Sequence, residues 1–394
     1  MEKVKLRDIC SMQSGGTPSR TKSEFFSGNI PWAKISDLEK SNDGYIYKTE
    51  EHITKEALKS INNRFFKEGT LLLAMYGSVG KTAIAKIDLS TNQAILGINI
   101  IDKKNVDIKY LRYWFTTIKE QLLNRAVGAA LANISLGIVK ELEIPHPPLS
   151  TQQKIAAILD QADALIQNNR AIVQKYDALT QSLFLDMFGD PVKNEKGWEK
   201  TELGKLGDFK NGLNYSKSDY GFTLKVIGVG DFKNFSRLDD FSNTSIIAMN
   251  EAPRDEFLLK DGDLLFVRSN GNKELVGRCL IVYVGDEKVS YSGFCIRLRL
   301  NSNQINSNYL VQLLQRAEFK KHIFKNGRGA NIQNINQELL GNIKIQIPPI
   351  TLQNLFAERV VVIEAQKQQA QLALAKSEEL FQSLLQRAFK GELS

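Results

Sequence analysis

The chain has little of the chemistry on which most metalloproteins and secreted proteins depend. Its 394 residues include three histidines and three cysteines, and Cys10, Cys279 and Cys295 are widely scattered. An odd, scattered set of cysteines does not predict a disulfide framework, so a reducing, cytoplasmic location fits. No histidine has a cysteine or a second histidine at ligand spacing, which argues against a zinc site.

Long apolar runs are also missing. No stretch approaches the roughly 18 apolar residues of a membrane span. The first five residues, Met1–Lys5, lead into a charged segment without the apolar centre of a signal peptide. We therefore expect no membrane partner.

The usual catalytic signatures are missing as well. No proline is followed by aspartate, which argues against nucleases of the Pro-Asp type, and no glycine-rich loop suits S-adenosylmethionine. The two Pro-Pro pairs are followed by Leu149 and Ile350, whereas adenine methyltransferases have Asn/Asp-Pro-Pro and an aromatic residue. We expect a chain with no catalytic residue, no metal and no cofactor of its own.

One segment resembles a nucleotide-binding loop. Residues Gly77–Thr82 end in Gly-Lys-Thr after an apolar strand, but only two residues separate the glycines. Four are needed for the backbone amides to surround the phosphates. A tight turn that presents Tyr76, Ser78 and Lys81 is the favoured interpretation, and a nucleotide-binding enzyme that uses this turn is an alternative.

The most informative segment is a long amphipathic helix within residues 147–190. Two heptad rows predict pairing with another helix: Ile155, Ala162, Tyr176 and Leu183 in one row, and Ile158, Leu165, Ile172 and Leu179 in the other. Asn169 interrupts the first row, where a polar residue usually fixes register. Ser150 with Gln153 fits a capping box, and Gly189 marks the helix end.

This helix recurs at the C-terminus. A shift of 201 residues aligns Pro348-Pro349 with Pro147-Pro148 without a gap. The pairing residues expected in the second copy are Phe356, Val360, Ile363, Leu374, Phe381 and Leu384. Two helices of one design, each closing a segment of similar size, indicate a tandem duplication.

The globular segments before each helix also correspond. Gly69–Ala74 is matched by Gly262–Val267, and the helix around Tyr110 by one around Tyr309. The chain is therefore divided into globular domain 1 (1–146), helix 1 (147–190), globular domain 2 (191–347) and helix 2 (348–394). The predicted class is α+β, with two repeated globular domains and two long helices.

The positive charge of the chain lies in its globular segments. Residues 1–150 hold 21 Lys/Arg against 16 Asp/Glu, and residues 194–350 hold 22 against 18. Residues 151–193 hold 4 against 5, and residues 351–394 hold 5 against 5. Two polyanion-binding domains on a neutral frame would have this distribution.

Basic, amide and aromatic residues at polar turns are the candidate DNA contacts. Lys and Arg would chiefly hold phosphates, while Asn, Gln and Arg can also distinguish bases in the major groove. The predicted contacts are Gly16, Thr17, Lys22, Lys34, Tyr76, Ser78, Lys81, Asn211, Asn214, Tyr215, Lys217, Arg268, Ser269, Asn270, Asn272, Lys273, Lys325 and Arg328.

Taken together, these features resemble the specificity subunit of type I restriction–modification systems over essentially the whole chain. They include the turn Gly15–Pro18, Ile30-Pro31-Trp32, Gly69–Gly80 and the Pro-Pro pair before each helix. In the second domain Asn211-Gly212-Leu213-Asn214 replaces the Gly-Thr-Pro turn.

The resemblance implies two target-recognition domains on an antiparallel coiled coil of the long helices. Each domain would read one half of an asymmetric, bipartite site in double-stranded DNA, and the helices would set the spacing. Two modification subunits would dock on the helices and use S-adenosylmethionine, and restriction subunits would add ATP- and Mg-dependent translocation and cleavage. A coiled-coil scaffold without DNA specificity is a further alternative.

Overall fold

Both predicted long helices are present. The structure is a computed structural model that describes residues 2–126, 134–216, 219–232, 236–316, 318–321 and 334–393. The first long helix spans Leu149–Phe188 and the second spans Ile350–Lys390. The first helix ends at Gly189, whose φ of 78° lies in the left-handed region that favours glycine, as the sequence predicted.

The chain divides into two compact units, each of which contains one globular domain and a part of both long helices. Unit 1 consists of Met1–Val173 and Gln369–Ser394, and unit 2 consists of Gln174–Gln368. The packing of each helix is therefore described within the unit to which its residues belong.

Unit 1 has three sheets. The five-stranded sheet has the order β2-β9-β6-β7-β4, the three-stranded sheet β5-β3-β8, and the two-stranded sheet β1-β10. The strands are β1 Lys3–Lys5, β2 Cys10–Ser14, β3 Ile30–Ala33, β4 Tyr45–Ile46, β5 Glu51–Ile53, β6 Leu71–Ala74, β7 Thr82–Ala85, β8 Ser90–Thr91, β9 Ile95–Ile100 and β10 Glu143–Pro145.

Unit 2 repeats this arrangement, each strand having its counterpart ten strands later. Its sheets have the orders β12-β19-β16-β17-β14, β15-β13-β18 and β11-β20. The strands are β11 Lys200–Glu202, β12 Gly207–Asn211, β13 Phe222–Ile227, β14 Arg237–Leu238, β15 Ile246–Met249, β16 Leu264–Val267, β17 Cys279–Val282, β18 Val289–Tyr291, β19 Cys295–Leu300 and β20 Lys344–Gln346. The unusual parallel pairs recur too, β4 with β7 and β14 with β17. The predicted tandem repeat of α+β domains is confirmed.

The shorter helices lie between the strands. Those of unit 1 are Leu6–Ile9, Ile35–Lys40, Lys55–Ser60, Ile108–Thr117, Lys119–Ala126 and Leu136–Lys140, and those of unit 2 include Ser307–Gln315 and Gln337–Gly341. The helix predicted around Tyr110 is Ile108–Thr117, and a second helix, Lys119–Ala126, follows it. Ile118 lies between them with φ −98° and ψ 6°.

A buried glutamine attaches the start of each long helix to its globular domain. In unit 1 the Gln152 side chain is 0% exposed and donates to the carbonyls of Asn105 (2.9 Å) and Pro147 (2.8 Å). Its Oε1 accepts from the amide of Asp107 at 2.9 Å. Asp107 in turn caps the helix Ile108–Thr117, accepting from the amide of Tyr110 at 2.9 Å. One amide side chain thus joins two helix starts.

The same connection is present in unit 2. Gln353 is 0% exposed, donates to Gln304 O (3.0 Å) and Pro348 O (2.7 Å), and accepts from the amide of Asn306 at 2.9 Å. Asn306 caps the helix Ser307–Gln315. At the start of the first long helix, Gln152 is therefore the residue that attaches the helix to its domain. The predicted capping box was wrong, because the helix begins at Leu149 and includes Ser150.

In unit 1 one face of the first long helix is buried. Ile155, Leu159 and Ile166 are 5% exposed or less and pack with Phe381 and Leu385 of the second long helix in one core. With Ala162, which is 6% exposed, these residues are spaced by four, three and four positions, as on one face of a helix.

The polar residue of this face, Asn169, has its hydrogen-bond partner on the second long helix. Asn169 Nδ2 donates to Ser377 Oγ at 2.7 Å, and the neighbouring Arg170 pairs with Glu378 at 2.6 Å. An apolar partner opposite Asn169 would leave its amide unpaired, so the bond favours this alignment of the helices.

The second predicted heptad row is not part of the buried face. Ile158, Leu165 and Ile172 of unit 1 are 37%, 44% and 41% exposed, and Leu179 of unit 2 is 48% exposed. The buried face is centred on Leu159 and Ile166, about a quarter turn from this row at 100° per residue. The assignment of these four residues to helix pairing is therefore corrected.

In unit 2 the helices meet through aromatic rings. Phe184 stacks on Tyr309 with 5.7 Å between ring centroids, and Phe188 lies 5.1 Å from Phe356. Further along the second long helix, Lys367 lies between the pairing residues Ile363 and Leu374. Its Nζ contacts Asp177 Oδ1 at 2.6 Å, which explains how a lysine is tolerated among these apolar residues. The helices are antiparallel, as expected, because residue numbers rise along one as they fall along the other.

We predict that Gln152→Leu destabilises unit 1 while the same change at Gln153 does not. Leucine would leave the Asp107 amide and two carbonyls without partners, lowering the free energy of unfolding by about 2–4 kcal/mol. Gln153 is exposed, so Gln153→Leu should stay within about 0.5 kcal/mol of the parent. Denaturant unfolding of the full chain measures both, and equal effects would contradict the role of Gln152.

Candidate nucleic-acid interface

Three segments of unit 1 converge at one end of the five-stranded sheet. They are the turn after β2, the end of β6 and the connection between β8 and β9. The amide of Gly16 donates to Thr91 O at 2.8 Å, and the amide of Met75 donates to Ala94 O at 2.8 Å. These backbone bonds hold the three segments against one another, so side chains from distant parts of the chain share one surface.

The same three segments converge in unit 2. The amide of Leu213 donates to Tyr291 O and that of Arg268 to Phe294 O, both at 2.8 Å. Arg268 also accepts from Ile335 N at 2.9 Å, as Met75 accepts from Ile134 N at 3.0 Å. Arg268 therefore occupies the place of Met75. We call each set of three segments a convergence site: residues 15–17, 75–76 and 91–94 in unit 1, and residues 212–214, 268–269 and 291–294 in unit 2.

In both convergence sites a glycine lets two of the three segments approach each other closely. A Cβ atom on Gly15 would lie 2.0 Å from Thr91 Oγ1, and one on Gly212 would lie 2.1 Å from Ser292 O. Such distances are far below van der Waals contact, so neither position accepts a side chain without movement of the backbone. Gly212 therefore retains the role of Gly15 although the residues after it differ.

Several predicted contacts of the first domain lie in its convergence site. Gly16 is buried and its carbonyl accepts from Trp32 Nε1 at 3.1 Å, so it supports the site from beneath. Thr17 is exposed, with Oγ1 near the amide of Gln93 (3.4 Å), and Tyr76 is 41% exposed. Lys22 is exposed beside the ring of Phe25. Thr17 and Tyr76 are brought together, and their part in DNA binding stays a prediction.

Lys34 and Ser78 are engaged by carboxylates of their own domain. Lys34 Nζ contacts Glu51 at 2.7 Å, and this hydrogen bond raises the pKa of Lys34. The hydroxyl of Ser78 donates to Glu39. An approaching phosphate would have to compete with these intramolecular partners.

Lys81 points into a cavity of about 450 Å³ instead of joining Tyr76. Its Nζ donates to Ser41 O at 3.3 Å, and burial together with the neighbouring Lys119 and Arg112 lowers its pKa. Arg112 also lines the cavity, as does Asp163, whose pKa burial raises. Because its side chain is half-buried and bonded to Ser41 O, Lys81 is less free to reach DNA than its place in a glycine turn indicated.

The turn around Lys81 does not have the surroundings of a phosphate-binding loop. Gly77 and Gly80 have φ of 70° and 81°, and the turn joins the antiparallel strands β6 and β7. A phosphate-binding loop leads from a strand into a helix, whose N-terminus faces the phosphates. The predicted tight turn is observed, and nucleotide binding at this place is not favoured.

The predicted contacts of the second domain are grouped more closely. Asn214 and Tyr215 are exposed beside Gly293, while Arg268 and Ser269 are half-buried at the end of β16. Asn211 and Asn270 are also half-buried and Asn272 is exposed. The side chain of Lys273, and all of Lys217, Lys325 and Arg328, lie outside the described residues.

Sequence reasoning missed the connection between β8 and β9 and its counterpart between β18 and β19. These residues, 91–94 and 291–294, form one side of each convergence site. The signal in the sequence was an aromatic residue, Phe294, directly after the turn-forming pair Ser292-Gly293 in the second domain. Its place beside Asn214 and Arg268 depends on tertiary contacts that no local pattern announces.

Other kinds of site are not found in the described part of the chain. Within those residues no three His, Cys, Asp or Glu side chains are placed to hold a metal ion. Burial raises the pKa of Cys10, Cys279 and Cys295 to about 12, so these thiols are not nucleophiles. None of the helices in the described part of the chain is long and apolar enough to cross a bilayer.

Comparison with known proteins identifies the repeated domain. Residues 1–175 and 195–372 match the family model of the type I restriction modification DNA specificity domain. The chain is 35% identical to the type I restriction enzyme MjaIX specificity subunit of Methanocaldococcus jannaschii over 235 residues, which are 55% of this chain. The match spans about half (54%) of that subunit's length.

Two further relatives cover more of the chain. The StySPI specificity subunit of Salmonella potsdam is 26% identical over 338 residues, 80% of this chain and 72% of the relative. The crystal structure of a type I restriction–modification S subunit from M. genitalium matches with a TM-score of 0.58 and 17% identity, over 98% of this chain and 96% of the other. At that identity the structural match supports the fold alone.

We predict that Gly212→Ala disturbs the convergence site of unit 2. The added methyl would force the Ser292 backbone away, lowering the free energy of unfolding by about 1–3 kcal/mol. Gly271→Ala is the matched control, because a Cβ there meets nothing within 4 Å. Thermal unfolding of both variants provides the measurement. A Gly212→Ala protein as stable as Gly271→Ala would contradict the close packing described.

Proposed function

Since this chain belongs to the family of type I restriction–modification DNA specificity proteins, we propose that it is the non-catalytic subunit that selects the DNA sequence. Each globular domain reads one half of an asymmetric, bipartite site in double-stranded DNA. The observation that carries this proposal is a single scaffold used twice with different side chains at the convergence sites. Two domains that share one scaffold but bind different DNA sequences need the same backbone and different contacting side chains.

The two domains carry different side chains at corresponding positions of the convergence sites. Three residues beyond β2 the first domain has Thr17, and three residues beyond β12 the second has Asn214. The residue after Met75 is Tyr76, whereas the residue after Arg268 is Ser269. Amide, hydroxyl and guanidinium groups make different hydrogen bonds to base edges, so the two domains would prefer different base pairs.

The distribution of charge supports contact with a polyanion. Lys and Arg outnumber Asp and Glu in both globular segments but not in the long helices. Neutralised phosphates would release counterions, so binding should weaken steeply as salt concentration rises. A scaffold without a DNA partner would show no such dependence.

The long helices set the distance between the two half-sites and dock partner subunits. Their antiparallel pairing and the Asn169–Ser377 bond favour one alignment. The exposed row of Ile158, Leu165 and Ile172 offers apolar surface to a partner helix. We assign this row to two modification subunits, which would supply S-adenosylmethionine, while restriction subunits would supply ATP- and Mg-dependent cleavage. The chain would act in the cytoplasm.

The experiment that tests the function is a methylation map of DNA from cells that express this chain with its modification subunit. The expected result is one bipartite motif, methylated at one adenine in each half. A stable complex that leaves no methylated motif would contradict the proposal and favour the scaffold alternative. ATP binding by the isolated chain would instead favour the nucleotide-binding enzyme.

We expect the length of the first long helix to determine the spacer. Removing one turn shortens the helix by about 5.4 Å, the axial length of one or two base pairs. The map should then show both half-sites unchanged and a spacer altered by about one or two base pairs. Ala171→Glu, on an exposed position of the same helix, is the full-length control. An unaltered spacer in an active shortened variant would rule out the helix as a ruler.

We also predict that Leu165→Glu prevents docking of the modification subunit without unfolding the chain. Leu165 is 44% exposed, so a charge is tolerated in the free chain but would be buried without a partner in the complex. Ala171→Glu introduces the same charge elsewhere on the helix and should leave docking intact. Co-purification with the modification subunit measures both. Normal assembly of the Leu165→Glu variant would show that this row is not the docking surface.

A further inference from the structure

Phe294 is exposed although its backbone is rigidly held. Its side chain is 62% exposed, between β18 and β19. Its carbonyl accepts from Arg268 N at 2.8 Å, and the next residue, Cys295, donates to Ser292 O at 2.8 Å. The ring therefore projects from a tight, bonded turn, and little backbone entropy remains to be lost on binding.

The surroundings of Phe294 are polar groups suited to base recognition. The amide of Gly293 donates to Leu213 O at 2.6 Å, and a Cβ on Gly293 would lie 2.3 Å from Asn214 Oδ1. Arg268 is bonded to Phe294 itself. In the unit 2 convergence site the backbone of Phe294 is thus bonded to that of Arg268, and the preceding Gly293 lies against the Asn214 side chain.

Exposure alone would not distinguish Phe294. Tyr220 and Ile246 of the same unit are 79% and 67% exposed, and single exposed apolar residues are common on protein surfaces. What distinguishes Phe294 is the comparison with unit 1. Matching backbone hydrogen bonds place Arg268 where Met75 lies and Phe294 where Ala94 lies.

The exposed aromatic residue has therefore changed segment between the two domains. Unit 1 presents Tyr76 after β6 and has the small Ala94 on the neighbouring segment. Unit 2 has the small Ser269 after β16 and presents Phe294 instead. Among the residues that define each convergence site one aromatic ring is exposed, but at a different place relative to the shared backbone; Tyr215, next to the site in unit 2, is 38% exposed as well.

We infer that Phe294 is a specificity-determining residue of the second domain, making an apolar contact with one base pair of its half-site. The inference rests on the proposed function and adds the chemistry of one contact. An exposed phenyl ring cannot satisfy base-edge donors or acceptors, but it can contact the methyl group of thymine or lie against an opened base step. Tyr76 would make the corresponding contact from its own position in the first half-site.

The test compares Phe294→Ala, Phe294→Leu and Ile246→Ala in the assembled complex with the modification subunits. Ile246 is the matched control, since it is an equally exposed apolar residue (67%) of the same unit that lies on β15, outside the residues of the convergence site. Equilibrium binding is measured on the duplex defined by the wild-type methylation map. Further duplexes carry each single base-pair change and each single uracil-for-thymine replacement.

Phe294→Ala should bind the parent duplex about tenfold more weakly, the size of one lost base-pair contact. It should also lose discrimination at one base pair of the second half-site only. Phe294→Leu should retain part of the affinity, and Ile246→Ala should match the wild type.

The uracil series identifies the feature that the ring contacts. If one uracil weakens wild-type binding but not Phe294→Ala binding, the ring contacts that thymine methyl. If no uracil matters but the bend of the bound duplex decreases in Phe294→Ala, the ring lies at an opened base step.

Two results would overturn the inference, and they are distinguishable. Wild-type binding of the mapped duplex with unchanged affinity and base preference in Phe294→Ala would reject the role of Phe294 alone. A wild-type complex that prefers no duplex sequence would reject the proposed function as well.

Discussion

The buried amides of Gln152 and Gln353 are the contacts on which the two units depend. Each satisfies an N–H and two carbonyls that would otherwise be buried without partners, and each does so at the start of a long helix. Because the same amide also bonds the N-cap residue of a domain helix, the long helix and the globular domain have a defined orientation within the unit. A globular domain attached this way cannot swing on its helix without breaking two hydrogen bonds, those to Asn105 and Asp107 in unit 1 and to Gln304 and Asn306 in unit 2.

In the duplicated scaffold one set of residues holds the backbone, and another set projects from the convergence sites. Strand order, parallel pairs, the close-approach glycines and the glutamine connection are the same in both units, because they hold the backbone. The side chains that project from the convergence sites differ, as Tyr76 and Ser269 do at one corresponding position. Such a division lets the recognised sequence change without a new fold.

The long helices show why an apolar pattern does not by itself identify a buried face. Ile158 and Ile155 both repeat on a heptad, yet Ile158 is 37% exposed and Ile155 is 1% exposed. Heptad spacing reports that a helix has apolar stripes, whereas the packing partner decides which stripe is covered. In the proposed function the exposed stripe is a docking surface for another chain instead of a defect.

The sequence by itself determined the duplication, the two long helices, the α+β domains and the end of the first helix at Gly189, since each of these follows from local spacing or residue type. It also gave Thr17 and Asn214 as candidate DNA contacts, and that part stays a prediction. Only the tertiary structure decided that Lys81 turns into a cavity, that Gln152 rather than Ser150 organises the helix start, and that Phe294 lies beside Arg268. The reason is physical: these outcomes depend on hydrogen bonds between residues about 25 to 50 positions apart, which no periodicity of the chain encodes.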